Sequence, residues 1–247
     1  MERFVKLTII KWLSVVFIPF FLVACDKPGS DTSQQGSAGD SPPTAVKVAE
    51  APPVIDPALA AEGKTLYKQN CVFCHQADAI GKPGFAPSLT NPEFLSVASN
   101  KFMLTTIRDG RVGTGMPPFA HLGKKKIESI VAYLRDHATL TDRSAAVDAQ
   151  PVAQGDPRLG KLWFDQLCLT CHGTNGDGYA AGGTGTAIGK AGFLNQATDG
   201  FIRTTIKDGR SNTRMLGFSG AGPQTMADLS DKEIDDIITY LRTVPSK

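Results

Sequence analysis

The feature that most constrains this chain is a repeated pentapeptide. Cys71-Val72-Phe73-Cys74-His75 returns as Cys168-Leu169-Thr170-Cys171-His172. The flanking residues repeat with it. Gly63-Lys64-Thr65-Leu66-Tyr67 matches Gly160-Lys161-Leu162-Trp163-Phe164, and Thr105-Thr106-Ile107-Arg108-Asp109-Gly110-Arg111 matches Thr204-Thr205-Ile206-Lys207-Asp208-Gly209-Arg210. Tyr133-Leu134-Arg135 matches Tyr240-Leu241-Arg242. The offset is 97 at the cysteines, 99 at the Thr-Thr-Ile block and 107 at the last match. An offset that grows along the chain means small insertions in the second copy, which belong in loops. Two copies of about 85–90 residues suit two small domains and not a solenoid. The expected domains are residues 56–140 and 156–247. The polar, Pro/Gly-containing stretch 141–155 reads as the linker between them.

Both copies read as helical. Asp56-Pro57 and Asp156-Pro157 are matching helix starts, an N-cap followed by proline at the first helical position. Leu59, Leu66 and Tyr67 make one apolar face, and Leu159, Trp163, Phe164 and Leu167 make its counterpart. Each copy ends in an amphipathic helix, with Ile127, Ile130, Val131 and Leu134 in the first and Ile234, Ile237, Ile238 and Leu241 in the second. Ser230 and Glu233 form a capping box ahead of the latter. The segments between are rich in Gly and Pro and lack period-2 alternation. The expected fold is all-α with long loops.

The pentapeptide is C-x-x-C-H. Two thiols on one helical turn reach the two vinyl groups of a haem and form thioethers, and the next residue turns its imidazole toward the iron. On this reading Cys71, Cys74, Cys168 and Cys171 attach two covalently bound haem c groups, with His75 and His172 as proximal ligands. A zinc site, a thioredoxin-like dithiol and a pair of disulfides are the alternatives. Zinc asks for four ligands at each site, and only His121 and His137 remain as further histidines. A redox dithiol sits in a βαβ pattern, which is absent.

With these motifs the sequence resembles the class I cytochrome c family in a two-domain dihaem form, over residues 57–140 and 157–245. The Gly63/Tyr67 and Gly160/Phe164 pairs are similar to that family's glycine and aromatic on the first helix, and Tyr133 and Tyr240 to the aromatic packed against them. The resemblance implies two tandem cytochrome c-like haem domains whose sixth iron ligand is a methionine in the loop before the last helix. Met116 and Met215 occupy that place, each five residues beyond the matching arginine. Met226, in the inserted loop, is the rival of Met215. Met103 reads as core and His121 as a surface loop residue. The resemblance also implies a proline carbonyl that orients the proximal imidazole. Pro87 is the candidate in the first copy, whereas the second has Ala191-Gly192-Phe193-Leu194 there and no proline. Arg111 and Arg210 are candidates for contact with haem propionates, or are solvated loop residues. The stretch 182–190 is glycine-rich without a phosphate-loop match and reads as a flexible loop over the second haem.

Residues 1–24 read as an export leader. Leu22-Val23-Ala24-Cys25 resembles a bacterial lipoprotein signal in which Cys25 is lipidated, and residues 25–55 then form a flexible tether. Asp26 resembles the signal for retention in an inner membrane, so the expected location is the periplasmic side of that membrane, held by a lipid anchor. The formal charge of +2 belongs to this leader, which carries Arg3, Lys6 and Lys11 against Glu2, and the remainder is neutral. That balance argues against nucleic acid as a partner. Four ionised propionates would favour a basic partner surface overall. Lys124-Lys125-Lys126 reads as a solvated charge run, with a docking patch for an acidic partner as the alternative. The expected function is a membrane-tethered carrier of single electrons between redox protein partners, a membrane-bound donor and a terminal oxidase or reductase. The alternatives are a cytochrome subunit of a larger oxidoreductase complex, and a dihaem peroxidase or sulfur-compound oxidase. Both copies have a methionine in register, so no open iron site is expected and no catalytic residue is assigned.

Overall fold

The structure, a computed structural model, describes residues 55–220 and 225–244. The expected leader, Cys25 and the tether up to residue 54 lie outside them. The described residues belong to one compact unit, Lys47–Lys247.

The Asp56 carboxylate accepts from the amides of Ala58 and Leu59, and Pro57 opens helix α1, Pro57–Asn70. The chain tightens at Cys71 into the single turn α2, Val72–His75. A loop closed by an isolated β-bridge between Lys82 and Ala86 leads to α3, Pro92–Val97, capped by Asn91. Ser99 caps α4, Asn100–Asp109. A further loop and a short 3-10 turn precede α5, Gly123–Arg135. The second half repeats the order with α7, Pro157–Leu167; α8, Leu169–His172; α9, Ala191–Leu194; α10, Asp199–Asp208; and α11, Asp231–Thr243, whose capping box forms as its sequence requires. No strand occurs among the described residues.

Each half is built on one close helix crossing, α1 on α5 and α7 on α11. Gly63 lies against the Ser129 carbonyl and Gly160 against that of Asp236, with no room for a side chain. The closeness lets the aromatics one turn on meet. Tyr67 and Tyr133 rings are 5.2 Å apart, and Phe164 and Tyr240 5.4 Å. Leu159, expected on the apolar face of α7, is exposed, because Gly160 and Phe164 are the positions that meet α11. An arginine pins the middle helices to the last one in both halves, buried in the first half and partly solvent-exposed in the second. Arg135 donates to the carbonyls of Leu95 and Ala98 and, at 2.8 Å, to Asn100. Arg242 does the same with Leu194, Ala197 and the Asp199 carboxylate. Carbonyl and carboxylate oxygens so placed offset the cost of burying a guanidinium.

The stretch 141–155 is folded rather than a bare linker. It contains α6, Ser144–Asp148, whose Val147 is buried against Gly200. Arg143 bridges Ser96 of the first half and Asp208 of the second at 2.7 Å. Beyond it the halves meet directly. Phe102 and Phe201, equivalent by the offset of 99, stack on each other with centroids 4.6 Å apart. Phe94 meets Phe201 edge to face at 6.4 Å, Thr106 donates to Gln196 at 2.8 Å, and Glu93 accepts from the Ser211 hydroxyl and amide. Equivalent residues facing each other give the interface a pseudo-twofold character.

Candidate haem sites

The two C-x-x-C-H segments have the same geometry. In each, the second cysteine and the histidine both direct their N–H groups at the carbonyl of the first cysteine, at 3.2 and 2.9 Å. The turn places both thiols and the imidazole on one rung. It ends at a residue with φ near +70°, Gln76 in the first half and Gly173 in the second. Tyr67 reaches from α1 to donate to the Gln76 carbonyl at 2.8 Å, tying the first turn to the helix crossing.

The imidazoles are held from behind. His75 Nδ1 lies 2.9 Å from the Pro87 carbonyl and His172 Nδ1 2.8 Å from the Thr186 carbonyl. An Nδ1–H donated to a carbonyl leaves the Nε2 lone pair free and aimed. Burial pulls both rings below the ordinary histidine range, against the opposing pull of the carbonyl, and so favours the neutral form a ligand needs. Ala191-Gly192-Phe193-Leu194, where the counterpart of Pro87 was expected, form α9. The offset of 99 maps Pro87 onto Thr186. What the site requires is a carbonyl, and any residue supplies one.

Burial, and then the neighbouring motif cysteine, push the thiols of Cys71 and Cys168 up to about 11 and about 12. The four motif cysteines are free of disulfides. Among the described residues no group of three or more His, Cys, Asp or Glu side chains is arranged to hold a metal ion by itself.

The methionine loops also match. The N–H of Arg111 donates to the Met116 carbonyl at 3.0 Å, and Met116 donates its own to Thr114 Oγ1 at 3.2 Å. Arg210, Met215 and Thr213 repeat both bonds, at 2.6 and 3.0 Å. Met116 and Met215 are half-buried, whereas Met226 is 58% exposed. Met103 is core and His121 is exposed beside Phe119. Arg111 and Arg210 are not solvated loop residues. The Arg111 guanidinium lies 5.2 Å from the Phe102 ring and 5.0 Å from Phe193 of the other half. That of Arg210 lies 5.8 Å from Phe201 and donates to Thr205 at 2.7 Å. Burial lowers both to about 10.

The glycine-rich stretch 182–190 packs on the second turn. Gly185 donates to the Cys171 carbonyl at 2.8 Å, and a Cβ added to it would come within 2.7 Å of the His172 ring. Lys190 pairs with Asp177 at 2.5 Å behind it. The stretch expected to be a flexible loop over the second haem is thus a packed wall against the His172 turn. Its signal was the run of glycines following a C-x-x-C-H segment, where backbone must approach closely.

Comparison with known protein families agrees with this arrangement. Residues 58–134 match the family described as cytochrome c oxidase, cbb3-type, subunit III, and residues 158–245 match the family cytochrome c. The chain carries two cytochrome c-type domains in tandem. It binds two covalently attached c-type haems. Among its curated relatives, the cbb3-type cytochrome c oxidase subunit CcoP of Rubrivivax gelatinosus is 31% identical over 68% of this chain and 52% of that protein. The CcoP of Azospirillum sp. (strain B510) is 25% identical over 74% of this chain and 62% of the relative. The cytochrome bc1 complex cytochrome c subunit of Mycobacterium leprae is 28% identical over 76% and 62%. The chain thus spans 52% to 62% of the length of these relatives.

Proposed function

We propose that this tandem cytochrome passes single electrons as a subunit of a larger oxidoreductase complex, and not as a free shuttle. The observation that carries electron transfer is the duplicate site. Each half sets a C-x-x-C-H imidazole, backed by a carbonyl, together with one methionine loop of the same hydrogen-bonded form. The names of the relatives, subunits of a cbb3 oxidase and of a bc1 complex, favour the complex over the shuttle.

Bound haem supplies one-electron redox chemistry, and the side chains do the rest. Cys71 and Cys74, with Cys168 and Cys171, hold the two groups by thioethers. His75 and His172, held through Nδ1, would offer Nε2 to the metal. The carbonyls of Pro87 and Thr186 fix the ring orientations and raise their basicity. Met116 and Met215 would supply a further ligand in each half, and a thioether would favour a higher reduction potential than a second imidazole. With a histidine and a methionine reserved for the metal in each half, neither half would offer it to a substrate, and the protein would carry electrons rather than catalyse a bond change. Arg111 and Arg210 are the guanidiniums assigned to pair with the propionates. We further propose that Cys25 is lipidated and that the tether holds the haem domains on the periplasmic side of an inner membrane.

An optical redox titration of the holoprotein, with co-purification from detergent-solubilised membranes, tests this reading. Two one-electron transitions with the methionine–iron band in both ferric haems, and recovery with other redox subunits, are the expected result. Peroxide turnover with loss of that band from one haem overturns the carrier reading, and recovery as a lone polypeptide overturns the complex.

A further inference from the structure

The two halves differ beside their attachment turns. In the first half Phe73, Ile80 and Phe85 are 84%, 62% and 51% exposed. Phe73 lies inside the motif, directly before Cys74. Its ring meets Phe85 edge to face at 6.5 Å, and the Lys82 ammonium lies 5.7 Å from the Phe85 ring. Single exposed apolar residues are ordinary, but a cluster with a polar rim marks a contact surface. In the second half Thr170 stands at the place of Phe73, and none of the exposed large apolar side chains falls within 168–190.

Charge divides the same way. Residues 56–140 carry ten basic and seven acidic residues, and residues 156–247 carry ten of each. The propionates of one haem, ionised, leave the first half near about +1 and the second near about −2. Lys64, Lys68, Lys82, Lys101, Lys125 and Lys126 are exposed and make no ion pair among the described residues. The described second-half cations all pair with a carboxylate except Arg210 and Arg214. Lys68, in the last turn of α1, and Lys82 flank the attachment turn from either side along the chain.

We propose that the attachment turn of the first half is the port for an acidic redox protein, with Phe73, Ile80 and Phe85 as its apolar contact and Lys68 and Lys82 as its cationic rim. The overall preference for a basic partner, drawn from total charge, reverses locally. One electron crosses the port, oxidising the first haem iron from ferrous to ferric and reducing the partner's one-electron centre, or the reverse. No bond breaks and no proton moves. A lipid surface would also attract aromatics and lysines, but it would lay an insulating layer over the turn that electrons must cross.

This proposal rests on the electron-transfer reading, and the test separates the two. The reduced holoprotein is mixed by stopped flow with an acidic cupredoxin and, separately, a basic one. The same is done for the Lys82→Glu/Phe85→Ser double variant and for Lys161→Glu in the second half. The acidic protein should react faster than the basic one, and its rate should fall with added salt. The double variant should lose about tenfold or more of that rate, with haem spectra and dithionite reduction unchanged, while Lys161→Glu keeps the rate. An unchanged rate in the double variant overturns the port. So does a double variant that loses only its binding to vesicles of anionic phospholipid. If dithionite reduces both haems yet neither cupredoxin exchanges electrons with the wild type, the electron-transfer reading fails with it.

Discussion

Replacing Gly63 with alanine tests the helix crossing on which each haem turn is mounted. An ideal Cβ at Gly63 would sit 1.8 Å from the Ser129 carbonyl oxygen and 2.9 Å from Tyr133 Cβ, where ordinary contact begins near 3.4 Å. The nearest obstacle is backbone, so no rotamer change relieves it, and α5 must move off α1 by more than 1 Å. Overpacking of a closed interior costs about 1–3 kcal/mol, and more where backbone shifts. The Tyr67–Tyr133 pair, 5.2 Å apart, loses a further contribution of about 0.5–1.5 kcal/mol as the helices part. Alanine's better helix propensity offsets about 1 kcal/mol of this. The net loss is about 0.5–3.5 kcal/mol, toward the upper end because the obstacle is backbone, and a domain of this size changes its Tm by about 4–8 °C per kcal/mol. Thermal melts of the holoprotein followed by far-UV circular dichroism and haem absorbance should show a fall of about 10 °C or more in the first-half transition. Gly160→Ala, which meets the Asp236 carbonyl, should do the same in the second half. Gly115→Ala is the control, because nothing lies within 4 Å of its added Cβ. A Gly63→Ala protein melting within about 2 °C of the control would refute the reasoning.

Gly185→Ala should displace the His172 ring and shift the potential and spectrum of the second haem alone, read by redox titration, since the added Cβ comes within 2.7–3.0 Å of three ring atoms. Met215→Ala should remove the methionine–iron band of the second haem and lower its potential, and Met226→Ala should leave both haems as they are. Burial alone would raise the Glu93 carboxyl, but its own amide, the Ser211 hydroxyl and amide, and Asn91 outweigh this and hold it below the usual carboxylate range. Its contribution is therefore present above the unfolded value and is lost as pH falls through the folded one. Urea melts should show Glu93→Gln less stable than wild type at pH 7, with the gap closing at strongly acid pH.

The helices at the ends of each half were legible because their caps and apolar stripes are local. Asp56-Pro57, Asp156-Pro157 and the Ser230/Glu233 box act within a few residues of themselves. The candidate haem turns were legible for the same reason, since C-x-x-C-H places all its chemistry on one turn. Thr186 was not, because a main-chain carbonyl leaves no mark on residue type. The offset at Pro87 lies between 97 and 99, which leaves Thr184, Gly185 and Thr186 open, and a search for a proline finds none of them. The α6 segment was read as linker because Ser-Ala-Ala-Val-Asp carries one branched apolar residue, and its order comes from Gly200 and Asp208 far along the chain. The aromatic contact between halves was equally hidden. Phe94, Phe102, Phe193 and Phe201 look like core residues of their own helices, and nothing in a single sequence says that Phe102 stacks on its counterpart.

That stack has a consequence for how the two halves are free to differ. A residue that touches its own equivalent makes the contact of a symmetric homodimer, in which one patch is complementary to itself. Here both copies lie in one chain, so a substitution on one side is no longer imposed on the other. Glu93 receives Ser211 on one flank, whereas its counterpart Gly192 makes room for the backbone of Val112 on the other. Covalent linkage has turned a self-complementary joint into two separately adjustable ones, so each flank of the seam can be tuned without changing the other.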